Sequence, residues 1–154
     1  MSWLWCWGKD ARDVPAGQTR DYIFGYTILN DVSARDVQTA HKQWYFGKSL
    51  DGFTPIGPCI VTADAFADYP PRLGIRSFVN GEKRQDSNTA LQIFDIDHVV
   101  AELSQGMTLK AGTIIATGTP AGVGMGMDPP QFLKPGDVVR CEIDGIGTLT
   151  NPVK

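Results

Sequence analysis

The apolar residues of this chain come in short runs, each cut off by glycine, proline or Asn-Gly. That punctuation restricts the fold to a strand-rich one. Tyr22-Ile-Phe-Gly-Tyr-Thr-Ile-Leu29 is rich in aromatic and β-branched residues and predicts a buried strand. Gly57-Pro-Cys-Ile-Val-Thr62 and Thr113-Ile-Ile-Ala-Thr117 predict two more. Arg72 to Phe78 alternates and meets Asn80-Gly81, the strongest short hairpin signal, so Glu82 to Gln85 is the expected return strand. Pro135 to Ile143 also alternates, turns at Asp144-Gly145 and returns as Ile146 to Leu149. One segment has helical spacing. Ile96, Val99, Val100 and Leu103 share a face, with Asp95 placed to cap the start and Gly106 expected just past the end.

A chain of 154 residues suits one domain. Its 17 glycines and 10 prolines are scattered, with no repeat, linker or low-complexity tract. Net charge is −3 and no basic run is present, which argues against a nucleic-acid partner. No apolar stretch reaches membrane-spanning length. The three cysteines, Cys6, Cys59 and Cys141, are odd in number, widely spaced and set among apolar neighbours. They read as small core residues in a reducing compartment, with the cytoplasm as the expected location.

Four blocks, in order, carry a family resemblance: Asp21-Tyr-Ile-Phe-Gly-Tyr-Thr-Ile-Leu-Asn-Asp-Val-Ser-Ala-Arg-Asp-Val-Gln38, Phe46-Gly-Lys-Ser-Leu-Asp-Gly-Phe53, Val79-Asn-Gly-Glu82 and Ile115-Ala-Thr-Gly-Thr-Pro-Ala-Gly-Val-Gly124. From Gly8 onward the chain resembles the C-terminal catalytic core of the fumarylacetoacetate hydrolase family. The resemblance implies a mainly β fold with short helices (α+β), a mixed β-roll wrapped around the site. It implies an enzyme that hydrolyses, decarboxylates or isomerises 2-oxo-acid, acylpyruvate-like dicarboxylic compounds, in the manner of bacterial 2-hydroxyhepta-2,4-diene-1,7-dioate isomerases and acylpyruvases, with a place in aromatic-compound breakdown. A divalent cofactor, Mg²⁺ or Mn²⁺, and a homodimer are implied with it.

Residue chemistry bears on each candidate. Asp31 ends a predicted buried strand, where a carboxylate needs a partner. The resemblance makes it a metal ligand, and an Asx turn after Asn30 is the alternative. Lys48 lies in the small-residue context Gly47-Lys-Ser49. The resemblance sets it beside substrate, where an ammonium stabilises a developing enolate; otherwise it is a solvated surface lysine. Arg35 and Gln38 are three apart and share a face on a helical turn. The resemblance gives Gln38 a catalytic and substrate-binding role, and Arg35 is assigned a supporting grip on a carboxylate. An ion pair of Arg35 with Asp36 or Asp21 competes with that role. Thr119, in Gly118-Thr-Pro120, is expected to face substrate, with a tight turn as the alternative. His41 and His98 read as surface residues, and no serine or cysteine has a base partner suited to covalent catalysis.

The resemblance also calls for a Glu-x-Glu metal pair on the strand before Gly8-Lys9, and for an earlier catalytic His and Glu. No glutamate precedes Glu82. The expectation is therefore a core truncated at its N-terminus: an atypical Trp-rich start at 1–7, unlike the family's strand, followed by the catalytic-core domain at 8–154. Trp3, Trp5 and Trp7 are expected to cover an open sheet edge or to make it sticky. A catalytically inactive protein that keeps the fold and part of the site is the alternative function.

Overall fold

The computed structural model describes the backbone of residues 2–40 and 42–154, and side chains from residue 8 onward within that range. His41 and the side chains of Trp3, Trp5, Trp7 and Cys6 lie outside the described residues, and with them the expected surface role of His41 and the edge-covering role of the tryptophans.

Among the described residues, eight strands form two four-stranded antiparallel sheets. The first holds β1 (Ser2–Trp7), β2 (Ile23–Leu29), β3 (Ile56–Thr62) and β6 (Ile114–Ala116), in the order β3-β2-β1-β6. The second holds β4 (Gly74–Val79), β5 (Glu82–Asn88), β7 (Val138–Ile143) and β8 (Gly147–Pro152), in the order β5-β4-β7-β8. Two short helices, α1 (Arg35–Ala40) and α2 (Ile96–Gly106), complete the mainly β architecture.

The core lies between the sheets and under α2. Tyr26 and Ile28 of β2 meet Ile75 of β4 and Cys141 and Ile143 of β7 in one buried cluster with Ile96 and Val100. Ile28, Ile96 and Val100 are fully buried, and each such aliphatic side chain stabilises the fold by about 1.5–3 kcal/mol. The polar stretch after Gly8 is pinned to the same core. Ala11 and Leu109 exchange backbone hydrogen bonds, and the Val14 amide donates to Ser104 Oγ at 3.0 Å.

Asn80 and Gly81 both take positive φ, 52° and 85°, as a two-residue hairpin loop of the primed type requires. Val79 consequently pairs with Glu82. Helix α2 starts where Asp95 Oδ1 accepts the His98 amide at 2.8 Å. Asp95→Ala is expected to lower stability by about 1 kcal/mol, read as a shift of the urea midpoint at constant slope.

Several expectations need correction. Ser2–Trp7 is a strand, paired with β2 on one side and β6 on the other, so this segment is interior to its sheet. Its alternating aromatic and apolar residues suit a pleated strand, and its unlikeness to the expected pattern concealed that. Ile114–Ala116 is an edge strand with Ile114 and Ala116 exposed, because it has a partner on one side alone; Ile115 packs against the core. Gly106 is the last residue of α2 rather than the residue after it. Cys59 is exposed on the edge strand β3, whereas Cys141 is a core residue whose thiol burial pushes up, away from reactive thiolate.

Candidate functional site

Strand β2 ends at Leu29, and the backbone turns there into Asn30 and Asp31. The Asn30 amide is held by Pro55 O at 3.0 Å, which fixes the strand exit. One turn on, α1 begins at Arg35. Its Nη1 donates to Gln38 Oε1 at 2.9 Å, so the i,i+3 pair meets as the spacing predicts. Arg35 makes this contact in place of an ion pair with Asp36 or Asp21. Gln38 is buried, at 5% exposure, which fixes its amide. With its oxygen taken by Arg35, the Gln38 side chain is left with its N–H groups to donate.

Lys48 reaches the same place from a 3₁₀ turn, Phe46–Lys48. Gly47 lets this turn dock on α1. Its carbonyl accepts the Ala34 amide at 2.9 Å, and a Cβ at Gly47 would stand 2.8 Å from the Gln38 nitrogen and 2.9 Å from Ala34 O. Glycine is the residue that permits that approach. Docked so, Lys48 Nζ donates to Asp31 Oδ2 at 2.6 Å. The two side chains are 25% and 30% exposed, so the pair is half-shielded from water at the cavity wall.

Thr119 arrives from the loop after β6. Gln85 of β5 anchors that loop: its Nε2 donates to Thr119 Oγ1 and to Pro120 O, each at 2.8 Å. Gln85 Oε1 in turn accepts the buried Ser77 hydroxyl at 2.9 Å. Arg84 is the extra residue of a bulge in the β4–β5 ladder, and Gly122 packs on its carbonyl with no space for a side chain.

These segments enclose a cavity of about 390 Å³. Asp31, Arg35, Gln38, Lys48 and Thr119 all line it, so the five residues singled out in the sequence meet at one place. Thr39, Trp44, Val123 and Met125 share the wall, and sequence reasoning missed them along with the anchor Gln85. The aromatic run Trp44-Tyr-Phe46 directly before Gly47-Lys48 was the available signal for Trp44. Gln85 gave none, since its role depends on a cross-strand partner. A second hollow, lined by Arg76, Glu142 and Asp144, is a shallow surface dish that holds none of the predicted residues. His98 is exposed and stacks on Phe94, away from the cavity lining.

The donor set can be set against the implied divalent ion. Among the described residues the cavity offers one carboxylate, Asp31, and its Oδ2 already faces the Lys48 ammonium. No group of three or more His, Cys, Asp or Glu side chains comes together among the described residues. Mg²⁺ takes one or two carboxylates plus waters and substrate oxygens. The described residues therefore do not by themselves make a divalent-metal site. No helix among the described residues is long and apolar enough to cross a membrane.

Known proteins match this arrangement along nearly its full length. Oxaloacetate tautomerase YisK of Bacillus subtilis is 48% identical over 146 residues, which are 95% of this chain and 48% of that protein. The structure of a fumarylacetoacetate hydrolase from Exiguobacterium antarcticum superposes with a TM-score of 0.95 at 50% identity, over 99% of this chain and 55% of the other. A 2-hydroxyhepta-2,4-diene-1,7-dioate isomerase from Mycobacterium marinum gives 0.86 at 46% identity, over 98% and 56%. The chain thus spans about half the length of the curated relatives it matches. The profile described as fumarylacetoacetate (FAA) hydrolase C-terminal covers residues 6–154, and the chain belongs to that family of enzymes.

Proposed function

We propose that this chain carries a site for keto–enol chemistry on 2-oxo acids, a tautomerase- or isomerase-type reaction with the enolate as its central species. The observation that carries the reading is the convergence of Lys48, Arg35 and Gln38 on one cavity with Asp31 and Thr119. Arg35 offers a guanidinium to the substrate carboxylate. When water takes the proton from the carbon beside the 2-oxo group, the C–H pair forms the C=C bond and the carbonyl π pair moves onto the oxygen. Lys48 Nζ and the free N–H groups of Gln38 are the donors available to that oxygen. Thr119 contributes a hydroxyl from the opposite segment of the chain. Hydrolytic C–C cleavage of an acylpyruvate and loss of a carboxylate beta to the 2-oxo group each also leave an enolate, so the same donors suit all three reactions. Two of the relatives, an oxaloacetate tautomerase and a dienedioate isomerase, are named for proton movement, and a third, a fumarylacetoacetate hydrolase, for bond cleavage.

The test is the loss of enol absorbance when freshly dissolved enol-oxaloacetate is mixed with the protein, followed with EDTA, with Mg²⁺ and with Mn²⁺. Ketonisation is expected to exceed the spontaneous rate in proportion to protein concentration. Asp31 as a metal ligand belongs to the same reading, and calorimetry of the chain with either ion alone is expected to show no binding of micromolar strength. The inert alternative is favoured by one observation: among the described residues the cavity has one carboxylate, Asp31, and it is already paired with Lys48. Oxaloacetate binding without any rate increase, whichever ion is present, would establish it. A homodimer remains part of the proposal and is read by light scattering.

A further inference from the structure

The cavity that binds the 2-oxo acid head has a second chemical character. Trp44, Val123 and Met125 line it together with the polar set. They come from two separate stretches, the connection between α1 and the Lys48 turn and the glycine-rich loop after β6. Trp44 and Met125 remain 67% and 48% exposed, so they present apolar surface that a ligand can still cover. This surface is held in place. Gly122 and Gly124 pack directly on the Arg84 and Gln131 carbonyls, the Gln131 amide returns to Gly124 O at 2.9 Å, and the Gly126 amide closes on Val123 O at 2.9 Å. Val123 and Met125 therefore stand on a braced loop.

The charge of the lining points the same way. Among the described residues its titratable members are two cations, Arg35 and Lys48, and one carboxylate, Asp31. The excess is one positive charge, which matches one carboxylate on the ligand. A second carboxylate would compete for donors already shared with Asp31 and Gln38, or would lie against indole and thioether surface that offers an anion nothing.

Building on the 2-oxo acid reading, the geometry points to Trp44, Val123 and Met125 as specificity-determining residues that select a 2-oxo monocarboxylate with an apolar alkyl or aryl substituent over a 2-oxo dicarboxylate. The head group lies at Lys48, Arg35 and Gln38, and the substituent covers Trp44 and Met125. This differs from the dicarboxylates in the names of the relatives.

A ladder of ligands tests it on the full chain by calorimetry, in EDTA and again in Mg²⁺. The monoacids are pyruvate, 2-oxobutanoate, 2-oxopentanoate, 2-oxohexanoate and phenylpyruvate, and 2-oxoglutarate is the diacid matched to 2-oxopentanoate. Affinity is expected to rise by up to about fourfold per methylene covered, with 2-oxopentanoate bound at least tenfold more tightly than 2-oxoglutarate. Trp44→Ala and Met125→Ala, both at exposed positions, are expected to flatten the ladder. Ile93→Ala truncates an apolar residue that is 92% exposed outside the cavity, and it should leave the slope as it is. Pyruvate binding with a flat ladder, or 2-oxoglutarate bound as tightly as 2-oxopentanoate, overturns the selectivity and leaves the 2-oxo acid reading standing. Failure of every 2-oxo acid to bind, pyruvate included, overturns both.

Discussion

Lys48→Met is expected to lower turnover of a 2-oxo acid by about 10²–10³-fold, the usual effect of removing one preorganised donor from a developing oxyanion, while the protein stays folded. Methionine keeps the length of the stem and deletes the ammonium. The backbone of the turn does not depend on the side chain: the Lys48 amide is held by Tyr45 O at 3.0 Å and its carbonyl by the Thr54 hydroxyl at 3.0 Å. Asp31 loses its counter-ion, but at 30% exposure it can take up water instead. The stability change should therefore stay near that of an ordinary partly exposed ion pair, about 0–1 kcal/mol. The split between kinetic constants is the informative part. Charge on the oxygen is absent from the bound keto acid and develops in the transition state that leads to the enolate, so kcat and kcat/KM should fall together while KM moves little. A rise in KM with kcat intact would make Lys48 a ground-state contact for the substrate. Unchanged kinetics would reduce it to a structural partner of Asp31, and the enolate assignment would then fall.

What the sequence disclosed and what it hid divide along a physical line. Features set by neighbours in the chain were legible. The Asn80-Gly81 turn needs positive φ at both residues, and asparagine and glycine advertise it. Asp95 caps α2 through a bond three residues away. Arg35 and Gln38 meet because one helical turn brings them together. The convergence of Asp31, Lys48 and Thr119 was foreseen through family resemblance rather than local rules, since Asp31 and Lys48 are 17 residues apart and Thr119 far from both. Features that depend on register between distant strands stayed hidden. Gln85 becomes an anchor because the Arg84 bulge keeps it opposite Ser77 and aims it at the loop after β6. Nothing local to Gln85 encodes that bulge. Strand β1 was hidden for another reason. Its place in the sheet is fixed by β2 and β6 on either side, while its own tryptophan-rich composition departs from the family's pattern.

Gly122→Ala is expected to cost about 2–4 kcal/mol of stability, the sum of overpacking and of an unfavourable backbone conformation. The added methyl group would run into the carbonyl oxygen of Arg84, a bulge residue held between Lys83 and Gln85, both of which are paired with β4. Gly122 also holds φ at +101°, which an L side chain rarely adopts. Two effects at one residue call for a control, and Gly112 supplies it. Gly112 has φ +85° and nothing within 4 Å of the point where a Cβ would stand, so Gly112→Ala isolates the backbone contribution at about 1–2 kcal/mol. The difference between the two variants reports how firmly the loop is pressed onto β5. Relief is expected to come from the loop, since β5 is paired with β4 from Glu82 to Asn88. Hydrogen exchange should then speed up at the Gly126 and Gln131 amides, whose bonds lie within the loop, while β4 and β5 keep their protection. Displacing the loop also withdraws Thr119, Val123 and Met125 from the cavity wall, so affinity for a 2-oxo acid should fall with the loss of protection. If Gly122→Ala matches Gly112→Ala in stability and leaves exchange and affinity alone, the loop is not braced by β5, and the cavity owes its shape to α1 and the Lys48 turn.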